Sequence, residues 1–235
     1  MLDAGDRGDA ALHRWSVDER EYLRHTARRG RRHAYEHLDP RQTALVVIDM
    51  VPFFVRDSPY CRGIVPGINT IAAALRNSGG VVAWVVPGHK EPSPKDREFL
   101  GGDIAEKYAR SGGDGSPRER VWSQLNLADD DLAVEKTAHS AFLPGSSALP
   151  DLLQEREVDT VLMTGTVTNV CVEASVRDAS TLGYRVILVA DACAATRDED
   201  HNATLHVVYR TYGDVRPTGD VVSLIQAGRR PRRRA

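Results

Sequence analysis

Three observations predict an α/β fold built on a parallel sheet. Short apolar runs rich in β-branched residues recur along the chain, and stretches with helical spacing separate them. The chain has 235 residues and is 41% hydrophobic, enough for one domain with a sizeable core. The expected strands are 43–49 (TALVVID), 80–86 (GVVAWVV), 131–135 (DLAVE), 158–164, 185–190 (RVILVA) and 214–217. A crossover helix is expected over 66–78, with Pro66 near its start and Ile68, Ile71, Ala72 and Leu75 on one face. Another is expected over 147–156. After Cys171, the residues Val172, Ser175, Val176 and Ala179 fall at helical spacing, and Gly183 closes that helix. Leu205, Val208, Tyr209 and Tyr212 repeat the pattern within 199–212, and a last short helix is expected over 219–227.

Two long stretches break the alternation. Segment 87–130 is polar and rich in Gly and Pro, and a loop that long is expected to be functional, disordered or a lid. Residues 1–42 read as a charged N-terminal arm preceding a domain over 43–227. Its stretch 17–38 carries Tyr22, Leu23, Tyr35 and Leu38 in an amphipathic pattern. Residues 228–235, which include RRPRRR, read as a disordered basic tail.

Composition excludes several function classes. Lys+Arg number 31 against 33 Asp+Glu, a formal charge of -2, so no nucleic-acid partner is expected. Cys61, Cys171 and Cys193 are too few and too irregularly spaced for a disulfide framework, which fits a reducing compartment. The first residues form no apolar secretion signal, and the expected location is cytoplasmic. No apolar run nears the ~18–20 residues that span a bilayer, so no membrane partner is expected.

The most informative stretch is VDTVLMTGTVTNVCVEASVRDA, which starts at Val158. A strand pattern stops at Gly165 and a helical one begins around Cys171, placing a thiol near the positive end of a helix dipole. A thiolate is favoured there, and a packing cysteine more often sits inside an element. Asp49 ends the first strand and Lys136 follows the third. Open parallel sheets bind ligands beyond the carboxyl ends of their strands, so acid, amine and thiol are expected to converge in one crevice. Each has a plainer reading alone: Asp49 as a cap, Lys136 as an exposed strand-end charge, Cys171 as a buried thiol.

Together, VVIDM with Asp49, EKTAHSAF with Lys136 and TGTVTNVCVEASVRDA with Cys171 resemble the isochorismatase-like cysteine hydrolases over about residues 43–225. That superfamily includes nicotinamidases, N-carbamoylsarcosine amidases, ureidoacrylate amidases and biuret hydrolases. The resemblance implies a Rossmann-like three-layer α/β/α fold with a six-stranded parallel sheet of order 3-2-1-4-5-6. It implies Asp49, Lys136 and Cys171 as the catalytic set and the backbone N–H groups of Val167 and Cys171 as an oxyanion hole. It also implies a cis peptide between Thr166 and Val167. In the chemistry it implies, Asp49 takes the thiol proton, the sulfur attacks a carbonyl carbon, and the departing amine receives that proton. Water, with Asp49 as base, then hydrolyses the thioester. Relatives commonly pair through helices, so a homo-oligomer acting on a small-molecule substrate is expected, with the arm offering apolar residues for the exchange.

The chain departs from some relatives. Nicotinamidases carry metal-binding His and Asp after the first strand, but DMVPFFVRDSPYCRG holds no histidine and His89 stands alone. A metal site needs three or more convergent ligands, so no metal and no cofactor is expected. Val51 stands where many relatives carry the Gln of D-x-Q. Vinyl-ether hydrolysis of the isochorismatase type needs the acid and not the thiol, so Cys171 favours C–N cleavage. The alternatives are that vinyl-ether chemistry or a non-catalytic binding or assembly protein.

Substrate contacts are harder to read. Arg197 either binds a substrate carboxylate or forms a helix-start salt bridge. Phe53, Phe54, Trp84 and Trp122 either wall the pocket or belong to the core, and Phe142 is expected behind Lys136. Thr168 and Asn169 are expected to hold the turn through bonds to backbone, and Glu173 with Arg177 to pair along the helix. Cys61 and Cys193 are expected to be structural.

Overall fold

The computed structural model describes residues 9–228. Six parallel strands form one sheet: β1 (Thr43–Ile48), β2 (Val81–Pro87), β3 (Leu132–Lys136), β4 (Thr160–Thr166), β5 (Arg185–Ala194) and β6 (Asp214–Arg216). Their order is β3-β2-β1-β4-β5-β6. It reverses between β1 and β4, where Ile48 pairs Gly165, and this opens a crevice beyond their carboxyl ends. The basic tail expected from Gly228 on lies, past Gly228, outside the described residues.

The helices are α1 (Glu19–Arg29), α2 (Pro52–Val55), α3 (Pro59–Gly63), α4 (Val65–Arg76), α5 (Pro94–Leu100), α6 (Gly102–Ala109), α7 (Pro117–Arg120), α8 (Leu149–Gln154), α9 (Glu173–Thr181), α10 (Asp198–Val207) and α11 (Thr218–Gly228). Successive strand side chains point to opposite faces. Ala44, Val46 and Ile48 therefore join Leu149, Leu153, Val176 and Leu205 in one core layer. Leu45 and Val47 join Ile68, Ile71, Leu75 and Ile225 in the other. Both faces are covered, which is why the strands read as continuous apolar runs.

Four expectations are corrected. Segment 87–130 is not one long loop; it holds α5, α6 and α7. Two of these start at capping boxes, where Ser93 and Asp96, then Ser116 and Glu119, satisfy each other's backbone N–H groups. β5 runs past residue 190 to Ala194 because the ladder resumes after a register shift, pairing Gly165 with Cys193 and Thr166 with Ala194. The helix expected over 199–212 ends at Val207 and widens into a π turn, Val208–Tyr212. The helix after Cys171 is likewise preceded by a π turn, Thr168–Val172.

From residue 9 on, the N-terminal arm packs on its own chain. Asp18 caps α1 by accepting the Arg20 N–H, and Gly30 ends it at φ 74. Tyr22 meets Tyr209 edge-on at 4.8 Å. The His13 ring lies between Tyr60 and His201, at 3.8 and 4.3 Å. Its Nε2 accepts the Ala195 N–H at 2.9 Å and its Nδ1 meets Asp198 at 2.7 Å. His201 is fully buried, with Nδ1 3.0 Å from Thr168 Oγ1.

Burial, reinforced by His13, pushes His201 down from 6.5 to about 3. A depressed histidine stabilises the fold above its unfolded value, and that contribution is lost as pH falls through 6.5 toward 3. The loss should reach the order of 4 kcal/mol. Urea unfolding of the parent chain is therefore expected to weaken between pH 7 and pH 4 more steeply than that of His201→Gln. Parallel slopes would contradict the assignment.

Candidate active site

The crevice is built from the ends of β1, β3 and β4. Immediately after β1, Asp49 takes φ 54, in the left-handed region that L residues rarely occupy. Its N–H still bonds to the Val85 carbonyl at 2.8 Å, so the backbone is held while the side chain leaves the strand's alternation. Lys136 ends β3, and its Nζ lies 2.9 Å from Asp49 Oδ2 and 3.1 Å from the Ala138 carbonyl. Asp49 is 1% exposed and Lys136 4%, so the ion pair is buried. The second carboxylate oxygen, Asp49 Oδ1, is buried with no hydrogen-bond partner.

β4 delivers the thiol. Gly165 has φ 105, and a Cβ there would sit 2.1 Å from the Ile48 carbonyl oxygen, so only glycine lets β4 close on β1 at this level. The Thr166–Val167 peptide is cis, and the π turn follows directly. Val167 precedes the turn and accepts the N–H groups of Val170 and Val172 at 3.0 and 3.3 Å. Cys171 lies within the turn, 9% exposed, close enough that the charges of Asp49 and Lys136 both act on its sulfur. Three residues distant in sequence thus meet in one place.

The charge state differs from the thiolate expected at a helix dipole. Burial first, and then the Asp49 carboxylate, push the Cys171 thiol up to about 12, with Lys136 opposing. The resting sulfur is therefore a neutral thiol. Complete burial also raises Asp49, against the pull of Lys136. Burial works against the Lys136 charge, but Asp49 and Cys171 outweigh it and hold the ammonium protonated. The set is a buried ion pair beside a thiol, with one carboxylate oxygen, Asp49 Oδ1, left without a hydrogen-bond partner.

The turn is braced from behind. Ser175 Oγ donates to the Cys171 carbonyl at 2.8 Å and accepts the Ala141 N–H at 3.0 Å, tying α9 to the loop after Lys136. Thr168 holds the turn through the His201 ring rather than through backbone, and Asn169 is exposed. Glu173 accepts from Arg177 at 2.6 Å and from Thr204 Oγ1 at 2.5 Å. Phe142 is fully buried in the core layer that also holds Cys171. Cys61 donates to Thr166 Oγ1 at 3.3 Å and Cys193 to the Met163 carbonyl at 3.5 Å; both are buried.

A cavity of about 460 Å³ reaches the head of the turn at Val167, its walls including Phe53, Phe54, Lys107, Tyr108 and Thr196, while Asp49, Lys136 and Cys171 do not line it. Lys107 and Tyr108 come from α6, inside the stretch read as a loop. Among the other candidates, Arg197 pairs with Asp200 at 2.9 Å, so its guanidinium serves the start of α10. Trp122 packs on the core and donates to Gln124 at 3.3 Å, and Trp84, 1% exposed, donates to Asp131 at 2.7 Å. None of these three lines the cavity. Sequence reasoning missed His139, whose Nδ1 lies 3.9 Å from Cys171 Sγ. Its only signal was a histidine three residues beyond Lys136 in EKTAHSAF.

Known proteins share this arrangement of elements. The model of the isochorismatase domain matches residues 43–220. The chain belongs to the isochorismatase family. Nicotinamidase 3 of Arabidopsis thaliana is 31% identical over 168 residues, covering 69% of this chain and 78% of that protein. The ureidoacrylate amidohydrolase of Klebsiella pneumoniae is 27% identical over 181 residues, covering 65% and 73%. Among solved structures, a cysteine hydrolase from Pseudomonas syringae superposes with a TM-score of 0.70 at 25% identity, over 94% of this chain and all of that one. This family member is a hydrolase of the isochorismatase type. Among the described residues, no helix is long and apolar enough to cross a membrane. No group of three or more His, Cys, Asp or Glu among them is placed to hold a metal.

Proposed function

We propose that this family member cleaves the C–N bond of a small amide, carbamoyl or ureido compound through a thioester on Cys171. The carrying observation is the buried Asp49–Lys136 pair, whose charges act on the Cys171 thiol beyond the carboxyl ends of the strands. As sulfur bonds to the carbonyl carbon, its proton passes to Asp49, and the carbonyl pair moves onto oxygen. Lys136 offsets the charge that develops there, and the N–H groups of Val167 and Cys171 stabilise the oxyanion by about 3–4 kcal/mol each. When the C–N bond breaks, nitrogen takes the proton held by Asp49 and leaves as a neutral amine or ammonia. Water then cleaves the thioester. The names of the ureidoacrylate and nicotinamide relatives support amide chemistry.

The cavity suits a small, flat and anionic substrate. Phe53, Phe54 and Tyr108 offer aromatic faces, while Lys107 and Arg56 outnumber the one acid on its wall, Asp57. Ammonia release should be measured from a panel of ureidoacrylate, N-carbamoyl amino acids, nicotinamide and unbranched amides, beside pyruvate release from isochorismate. Ammonia from a carboxylate-bearing ureido or carbamoyl compound is expected. Pyruvate with no ammonia from any amide would overturn the reading, and so would turnover that survives Cys171→Ala.

A further inference from the structure

Asp49 and Lys136 are nearly sealed from solvent, and this arrangement serves acylation well. Hydrolysis of the thioester poses a different demand, because its water must arrive from the open side. Once the leaving amine has taken its proton, Asp49 is again a carboxylate bonded to Lys136. On the solvent side stands the exposed His139, with Nδ1 3.9 Å from Cys171 Sγ. Among the described residues, its ring makes no other hydrogen bond.

The backbone on either side of that ring is fixed. The Ala138 carbonyl accepts from Lys136 Nζ at 3.1 Å, and the Thr137 N–H donates to the Ser146 carbonyl at 2.9 Å. The Ser140 carbonyl accepts from Ser146 Oγ at 2.9 Å, and the Ala141 N–H donates to Ser175 Oγ at 3.0 Å. A rigid loop therefore holds the ring with Nδ1 3.9 Å from the reacting sulfur and, among the described residues, with no other hydrogen-bond partner.

We infer that His139 is a further catalytic residue, the general base that activates water against the Cys171 thioester. The inference rests on the thioester reading above. A water oxygen bonds to the thioester carbon while one of its protons passes to Nδ1 and the carbonyl pair moves onto oxygen. Collapse restores the carbonyl and breaks the C–S bond. Sulfur leaves with the bonding pair and takes the proton back from the imidazolium, yielding a carboxylic or carbamic acid, a thiol and a neutral ring. Asp49 handles the proton of acylation and His139 that of deacylation.

The probe is p-nitrophenyl acetate, whose acylation releases nitrophenolate and leaves an acetyl group on sulfur. In stopped flow, His139→Ala and His139→Gln should keep the burst amplitude, with an acylation rate within about 2-fold of the parent. Deacylation should fall by about 10²-fold or more, the usual worth of a positioned base. Intact mass and peptide mapping should then find acetyl accumulating on Cys171. Added imidazole should restore deacylation in His139→Ala and leave the parent unchanged, a rescue that a purely structural role would not give. The proposal fails if deacylation is unchanged in both variants, if acylation and deacylation fall together, or if imidazole has no effect. If the parent itself never acquires acetyl on Cys171, the thioester reading fails instead.

Discussion

Asp49→Asn is expected to lower turnover by about 10⁴-fold or more while raising the rate at which iodoacetamide alkylates Cys171. The two changes run in opposite directions because the carboxylate has two effects. It is the acceptor for the thiol proton, so an amide at that position leaves nucleophilic attack without a base. Its charge also helps push the thiol up to about 12, and removing it leaves Lys136 alone beside the sulfur. The thiolate fraction near neutral pH then rises, and with it simple alkylation. Cys61 and Cys193 are poor competitors, since burial pushes both thiols up, and Cys171→Ala supplies the blank. Labelling followed by peptide mapping, paired with steady-state assay of any substrate found, measures both quantities. Retained turnover would remove Asp49 from the proton path. Slower alkylation would mean that the carboxylate activates the resting thiol instead of suppressing it.

The legible parts of this protein were those encoded within a few residues. Strands buried on both faces produce unbroken runs such as LVVI and VLM, and the stop at Gly165 followed by TNVC marks the turn without knowledge of any partner. Asp49 and Lys136 could be placed because acids and amines at the ends of apolar runs are costly unless the open edge of a sheet receives them. The helices of 87–130 went unread because they are short, 7, 8 and 4 residues, too brief for periodicity to register. Their signals were the starts, Ser93-Pro-Lys-Asp and Ser116-Pro-Arg-Glu. His13 was beyond local reading, since its partners Ala195 and Asp198 lie 182 and 185 residues away. The neutral state of Cys171 was equally hidden. A helix dipole favours an anion, but burial beside a carboxylate outweighs it here, and only coordinates show how complete that burial is.

Lys136→Met should destabilise the fold by roughly 3–5 kcal/mol near neutral pH, the usual cost of removing one partner from a buried ion pair. Methionine replaces the aliphatic stem with little change in volume, so the loss isolates the charge. Asp49, 1% exposed, is left without its cation and with Oδ1 already unbonded. Burial then dominates its carboxyl, with only Cys171 and His139 left to oppose it, and lifts it further above 3.8 than in the parent. A carboxyl raised in the folded state favours folding below its unfolded value, and that contribution is lost as pH rises through the folded one. The variant should therefore be most nearly parental around pH 4 and lose stability steadily toward pH 8. The reference is the parent chain under the same conditions, so acid effects common to both, such as that of His201, cancel. Adding Asp49→Asn to Lys136→Met removes the orphaned charge, and most of the lost stability should return at pH 8 with no return of activity. Urea unfolding of the three proteins at both pH values decides the matter. If Lys136→Met matched the parent at pH 8, the pair would contribute nothing to folding, and its burial would have to be explained by catalysis alone.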